Sequence, residues 1–402
     1  MIDEQLITKC EEELSETFKK LEEIALFNQE KVLNAFKKNM IALRHFSGTN
    51  GYGYGDEGRD TLNKLVADIF KAESAVCSPN IVSGTHALSL CLYGVLRPGD
   101  TILSITGEPY DTLSDVIRGK GTGSLEDFGI SFSSIPLKNN KIDAEEIKKV
   151  LPTLKPKMVY MQRSRGYEWR NALSIEEIES AVSLVKSLGF DGCIMLDNCY
   201  GAFIDKKEPT EVGVNLLAGS MIKNLGGGIA PTGGYIVGDE KYINLVQNRI
   251  TAPSIGGEVG SYAYGYNLYY QGIFIAPHTV LQALKGAKLF GAVMQKLGYD
   301  VSPKVDEMPK DIILAVKFND KDALIKFIQT IQANSPIDSF VTALPWAMPG
   351  YEDEVIMAAG CFVQGSSIEL SADAPIKPPY IGYLQGGITY EHCKIALKNM
   401  NL

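Results

Sequence analysis

Leu216-Leu217-Ala218-Gly219-Ser220-Met221-Ile222-Lys223-Asn224-Leu225-Gly226-Gly227-Gly228 is followed after five residues by Gly234-Tyr235-Ile236-Val237-Gly238. Leu216, Leu217 and Ala218 read as a buried strand, and Gly234 to Gly238 as another. One lysine, Lys223, lies between them with few charges nearby. Burial disfavours an ammonium, so a lysine here is expected to be paired or neutral. A neutral amine is a nucleophile. The glycines are expected to let a flat ligand approach the backbone. Upstream, Gly192-Cys193-Ile194-Met195-Leu196-Asp197-Asn198 reads as an apolar strand ending in a carboxylate. The competing readings are a surface lysine at a loop edge and a loop-capping aspartate.

Outward from this stretch the pattern alternates. Thr101 to Ile105, Ile130 to Ile135, Lys157 to Met161 and Gly192 to Leu196 read as strands. Helices are expected at Asp143 to Leu151 and Ser174 to Leu188, the latter opened by a Ser174/Glu177 capping box. Such alternation predicts an α/β fold with a mostly parallel central sheet covered on both faces. Ligands of such sheets bind beyond the carboxyl ends of the strands. Tyr110, Arg163, Asp197 and Lys223 all follow strands. An acid for a ring nitrogen and a lysine for an aldehyde are what pyridoxal 5'-phosphate (PLP) requires.

Further candidates join this pair. Ser83-Gly84-Thr85-His86 opens a helix, where free N–H groups suit a phosphate or Ser83 serves as an ordinary cap. Tyr110 reads as a ring for stacking on a flat cofactor or as a half-buried core residue. Gln162-Arg163-Ser164-Arg165-Gly166-Tyr167 is a cationic loop suited to a carboxylate or phosphate. Gly53 to Gly58 matches G-x-G-x-x-G in form, but no apolar strand precedes it, which argues against a dinucleotide site. The loop's Tyr52, Tyr54 and Arg59 suit phosphate contact instead.

Residues 3 to about 40 read as an amphipathic helix, with Asn28 a candidate break. Its stripe is expected to pack on the chain's own small domain or on a partner. The tyrosines at 262, 264, 266, 269 and 270 suit a subunit interface or interdomain core. Beyond 300, strands at Ile312 to Val316 and Ser367 to Leu370 and a helix at Asp322 to Ala333 indicate a smaller α+β unit. The expected division is a helical arm (1–45), a large PLP-binding domain (46–260), and interface helices with a small C-terminal α+β domain (261–402).

The chain has 402 residues and a formal net charge of -9, without a basic stripe, which argues against a nucleic-acid partner. No apolar run is long enough to span a bilayer. The seven cysteines are odd in number and lack a C-x-x-C pair, which favours reduced thiols in a cytoplasm. The four histidines are scattered, and no metal site is expected.

Taken in order, Ser83-Gly84-Thr85-His86, Tyr110, Asp197 and Ser220-x-x-Lys223 resemble the fold-type I PLP enzymes of cysteine and methionine metabolism. The chain is most similar to the bacterial aluminium resistance protein family, which is methionine γ-lyase-like. The likeness extends over nearly the whole chain, through Gly51 to Gly55, Thr106 to Leu113, Gln162 to Tyr167, Thr251 to Gly260, and Pro378-Pro379-Tyr380 with Gln385-Gly386-Gly387. It implies an internal aldimine on Lys223, Asp197 on the pyridinium nitrogen, and Tyr110 on the ring. Ser83, Gly84, Thr85 and Ser220 would hold the phosphate, with Tyr52 or Tyr54 reaching in from a neighbouring subunit of a homodimer or homotetramer. Ile222 departs from the lyase pattern, which carries a hydroxyl residue there. No arginine clearly matches the family's C-terminal carboxylate clamp, and Lys377 stands in a plausible place, so Arg163, Arg165 and Lys377 are the substrate-binding candidates. The expected function is carbon–sulfur elimination from a sulfur-containing amino acid. The alternatives are transamination, γ-replacement, or a non-catalytic PLP-fold protein linked to metal tolerance.

Overall fold

The computed structural model describes residues 1–348 and 351–401. Two helices, α1 (Glu4–Glu13) and α2 (Ser15–Lys38), open the chain, and α3 (Glu57–Ile69) follows. Then come β1 (Ser74–Ser78), α4 (Gly84–Val95), β2 (Thr101–Ser104), α5 (Asp111–Arg118), β3 (Ser131–Ser134), α6 (Ala144–Leu154), β4 (Met158–Gln162) and α7 (Ile175–Ser187). Next are β5 (Cys193–Asp197), β6 (Leu216–Ser220), β7 (Gly234–Gly238), α8 (Glu240–Ile250) and the long α9 (Asn267–Lys296). The remainder holds β8 (Asp300–Ser302), β9 (Ile313–Lys317), α10 (Lys321–Ala333), β10 (Val355–Ala358), β11 (Ser371–Pro375), β12 (Ile381–Gln385) and α11 (Tyr390–Lys398).

The large sheet runs β1-β7-β6-β5-β4-β2-β3. Every pairing from β6 to β3 is parallel, and β7 is antiparallel to both its neighbours. Strands β4, β5, β6 and β7 are buried at every position, as strands covered on both faces must be. The expected mostly parallel α/β sheet is therefore present. The second sheet, β10-β11-β12-β9-β8, is antiparallel throughout, with α9 and α10 packed against its strands. Ser367 to Leu370 forms no strand; the strand begins four residues later, at Ser371.

The amphipathic opening is two helices rather than one. The break falls at Leu14, and Asn28 lies inside α2, wholly buried. Its Nδ2 donates to the carbonyls of Phe203 and Asp205 at 3.3 and 3.0 Å. An asparagine anchored in this way does not compete with its own helix backbone. Ile7, Cys10 and Leu14 enter the core of the second sheet, and Leu21, Val32 and Ala35 that of the first. The stripe thus packs on the chain itself. The tyrosine run divides: Tyr266, Tyr269 and Tyr270 are core, with Tyr266 donating to Asp56 and Tyr270 to the Gly58 carbonyl, whereas Tyr264 is fully exposed. Among the described residues no helix is long and apolar enough to cross a membrane.

Candidate active site

The parallel strands point their C-terminal ends at one cavity of about 540 Å³, within the usual range for a small-molecule site. Asp197 ends β5 and stands in register with Gln162 of β4 and Ala218 of β6. Lys223 follows β6 by three residues. Two adjacent strands therefore deliver the acid and the lysine to the same cavity.

Asp197 is 5 % exposed and accepts a hydrogen bond from the Cys199 N–H at 2.9 Å. Among the described residues no salt bridge reaches it. Burial raises its pKa, against the opposing pull of that backbone bond and of Lys223. Lys223 Nζ lies 3.9 Å from the centre of the Tyr200 ring and 3.3 Å from Ser367 Oγ. Burial opposes its charge, but Tyr200, Cys199 and Asp197 outweigh burial, and its pKa rises. These partners oppose the neutralisation that burial alone would favour.

The glycines after Lys223 serve the fold. A Cβ on Gly227, whose φ is +61°, would meet the Gly272 carbonyl of α9 at 2.4 Å, and none of Gly226 to Gly228 lines the cavity. Two glycines border the cavity, Gly166 and, at the first turn of α4, Gly84. A Cβ there would meet Cys199 Sγ at 3.0 Å and Ser220 Cβ at 3.4 Å. Ser83 caps α4 by accepting from the His86 N–H at 3.0 Å, so its hydroxyl has the ordinary capping role. Thr85 Oγ1 bonds the Tyr110 hydroxyl at 2.9 Å. Burial is the main cause that pushes the Tyr110 hydroxyl pKa up. Ser83, Gly84, Thr85, Tyr110, Ser220, Asp197 and Lys223 all line the cavity.

The arginines of the 162–167 loop part company. Arg163 does not line the cavity. Its guanidinium donates to the Leu173 carbonyl (3.3 Å), Asn198 Oδ1 (2.9 Å) and the Gly201 carbonyl (2.9 Å), bracing the turn after β5. Its expected place on the substrate is corrected: three acceptors hold it behind the strand ends. Arg165 does line the cavity, 1 % exposed. Its Nη1 donates to the Ser302 carbonyl and hydroxyl, and its Nε has no partner. Lys377 is at the cavity wall, paired with Asp353 at 2.7 Å. Tyr52 and Tyr54 are away from this cavity, about 70 % exposed, and line a separate surface hollow. Arg59, in the first turn of α3, donates to Asp60 and to the Gly53 carbonyl and does not line this cavity.

Asp373, Tyr200, Tyr351 and Ser367 were not singled out by sequence. Asp373 lies in an apolar strand where a charge at an inward position was the available signal.

A family model for methionine gamma-lyase matches residues 3–401. The chain belongs to the methionine gamma-lyase family. Membership makes it a PLP-dependent enzyme of the carbon–sulfur lyase class. It is 47% identical over 393 residues to the uncharacterized protein YnbB of Bacillus subtilis, covering 97% of this chain and 93% of that one. A crystal structure of a carbon–sulfur lyase involved in aluminum resistance from Clostridium novyi is 51% identical with a TM-score of 0.95, covering 98% and 94%. A candidate cystathionine beta-lyase involved in aluminum resistance from Listeria monocytogenes is 47% identical with a TM-score of 0.97, covering 99% of each chain. At 16% identity and a TM-score of 0.64, a PLP-dependent protein of Escherichia coli, YhfS, shares the fold.

The residues fit the family's cofactor. A buried carboxylate that forms no salt bridge among the described residues suits a protonated ring nitrogen. The bare Gly84 turn beside Ser220 is a cradle that a Cβ would fill, at a helix N-terminus suited to phosphate.

Proposed function

We propose that this chain eliminates a carbon–sulfur bond from a sulfur-containing amino acid at the cavity shared by Asp197 and Lys223. The observation that carries the reading is the delivery of these two side chains to one cavity by neighbouring parallel strands.

Lys223 would hold the cofactor's aldehyde carbon, Asp197 its ring nitrogen, Tyr110 its ring face, and Gly84, Thr85 and Ser220 its phosphate. PLP bound there supplies an electron sink for the carbanion left when Cα loses a proton. Asp197, as a buried carboxylate, would favour a positive charge at the ring nitrogen. The neutral amine of Lys223 would be the base at the substrate Cα–H. Arg165 offers its unpartnered Nε to the substrate carboxylate, a better geometric match than the paired ammonium of Lys377. Tyr52 and Tyr54, exposed in the single chain, would serve a neighbouring subunit's cavity in a dimer or tetramer.

The test is release of keto acid and thiol from a panel of sulfur amino acids by purified, PLP-loaded protein. Elimination predicts stoichiometric keto acid and thiol from at least one of them. Asp197→Asn should keep its cofactor and lose turnover. Keto acid formed only with a second amino acid product would establish transamination instead.

A further inference from the structure

Lys288 is a buried lysine that the site leaves without a task. It lies in α9, 4% exposed, and among the described residues no salt bridge reaches it. Its Nζ donates instead to the carbonyls of Lys304, Val305 and Glu307, at 3.2, 2.5 and 2.8 Å. An ammonium has three N–H donors, and all three are spent on the one turn between β8 and β9. The charged groups around it are Asp306 and Glu307 on that turn and Asp311 ahead of β9, which lines a small hollow with it. Burial pulls its pKa down to about 8, against the attraction of Asp306 and Glu307.

The clamped turn reaches Arg165. Glu307 Oε2 accepts from the Lys304 N–H at 2.9 Å and from Asn171 Nδ2 at 3.2 Å. Asn171 Oδ1 accepts from Ser302 Oγ at 2.8 Å. The Ser302 carbonyl and hydroxyl in turn accept from Arg165 Nη1, at 3.0 and 2.9 Å. Both hydrogens of Nη1 are thereby spent, and Nε is left unpartnered in a side chain that lines the cavity. A guanidinium is planar and rigid, so a grip on one nitrogen sets the direction of the others.

We propose that Lys288 is a positioning residue for the substrate: its ammonium fixes the 304–307 turn, and that turn, through Asn171 and Ser302, aims Arg165 at the substrate carboxylate. A neutral amine has two N–H groups for three carbonyls, so loss of the proton frees one carbonyl and loosens the aim. This inference rests on the assignment of the carboxylate to Arg165 in the proposed function.

The test uses two ligands that differ only in the carboxylate, L-norleucine and n-pentylamine, titrated spectroscopically into PLP-loaded protein. Neither carries a sulfur to lose, so the readout is binding and not turnover. The wild type should bind norleucine more tightly than pentylamine by roughly tenfold or more. Lys288→Met should cut that ratio by about threefold or more and keep pentylamine affinity within about twofold of wild type. Ser302→Ala, which removes one of the two acceptors of Nη1, should cut the ratio as well and serves if Lys288→Met fails to fold. In the wild type the ratio should fall as pH rises from about 7 to about 9, and in Lys288→Met it should stay level; the ratio cancels the titration of the ligand amines. An equal loss for both ligands in Lys288→Met overturns the proposal. So does an unchanged ratio in Lys288→Met and Ser302→Ala when Arg165→Met abolishes it, a result that leaves the Arg165 assignment standing. An unchanged ratio in Arg165→Met overturns that assignment and the proposal together.

Discussion

Arg163→Met separates a structural arginine from a substrate-binding one. The wild-type guanidinium makes two short hydrogen bonds, to Asn198 Oδ1 and the Gly201 carbonyl, and a longer one to the Leu173 carbonyl. Bonds from a charged donor contribute roughly 1.5–3 kcal/mol each. Against them stands the cost of burying the charge, which also depresses the guanidinium pKa. Methionine fills much of the aliphatic volume but leaves buried acceptors unpaired. The net loss is expected to be about 3 kcal/mol of stability, read as a lower urea midpoint of the cofactor-free protein. Amino-acid affinity, read by titration of the PLP-loaded protein, should stay within about threefold of wild type, well short of the tenfold step that about 1.4 kcal/mol represents. Arg165→Met should instead weaken amino-acid binding by on the order of tenfold or more. An unchanged midpoint for Arg163→Met with a large loss of amino-acid affinity would refute the assignment of the two arginines.

Burial pushes the Asp373 carboxyl up to about 6, so the folded chain holds a proton there that the unfolded chain has lost. The contribution of Asp373 to stability therefore falls as pH rises from about 4 to about 6, and above that window Asp373→Asn should be more stable than wild type by about 1–3 kcal/mol, with the difference vanishing near pH 4 in urea titrations. Gly84→Ala places a methyl at 3.0 Å from Cys199 Sγ and 3.4 Å from Ser220 Cβ, so PLP affinity should fall by on the order of tenfold in a fluorescence titration while the fold's circular dichroism is kept. Asn28→Leu orphans the buried carbonyls of Phe203 and Asp205 and should cost about 1–3 kcal/mol in a denaturant melt.

The large sheet was legible because its strands are short apolar runs between helices with ordinary caps. The Ser174/Glu177 capping box and the Gly234 to Gly238 strand lie where the pattern puts them. Asp197 and Lys223 were legible because the topology of a parallel sheet fixes where strand ends meet. Arg163 was not: its spacing matches that of a ligand-binding loop, and only its three-dimensional acceptors turn it inward. The glycines after Lys223 misled for a related reason, since close approach by α9 and close approach by a ligand ask for the same residue. Asn28 shows the same limit, because its acceptors lie about 175 residues away in sequence. Asp373 comes from a different sheet, and its meeting with Lys223 depends on how the two cores are joined.

The central claim is that Lys223 is the residue that holds the cofactor. Protein loaded with PLP is reduced with borohydride, digested and mapped by mass spectrometry. The account predicts a single phosphopyridoxyl mass on the peptide carrying Lys223, and none on Lys223→Ala protein treated in the same way. A label on another lysine, with Lys223 unmodified in active protein, would contradict it.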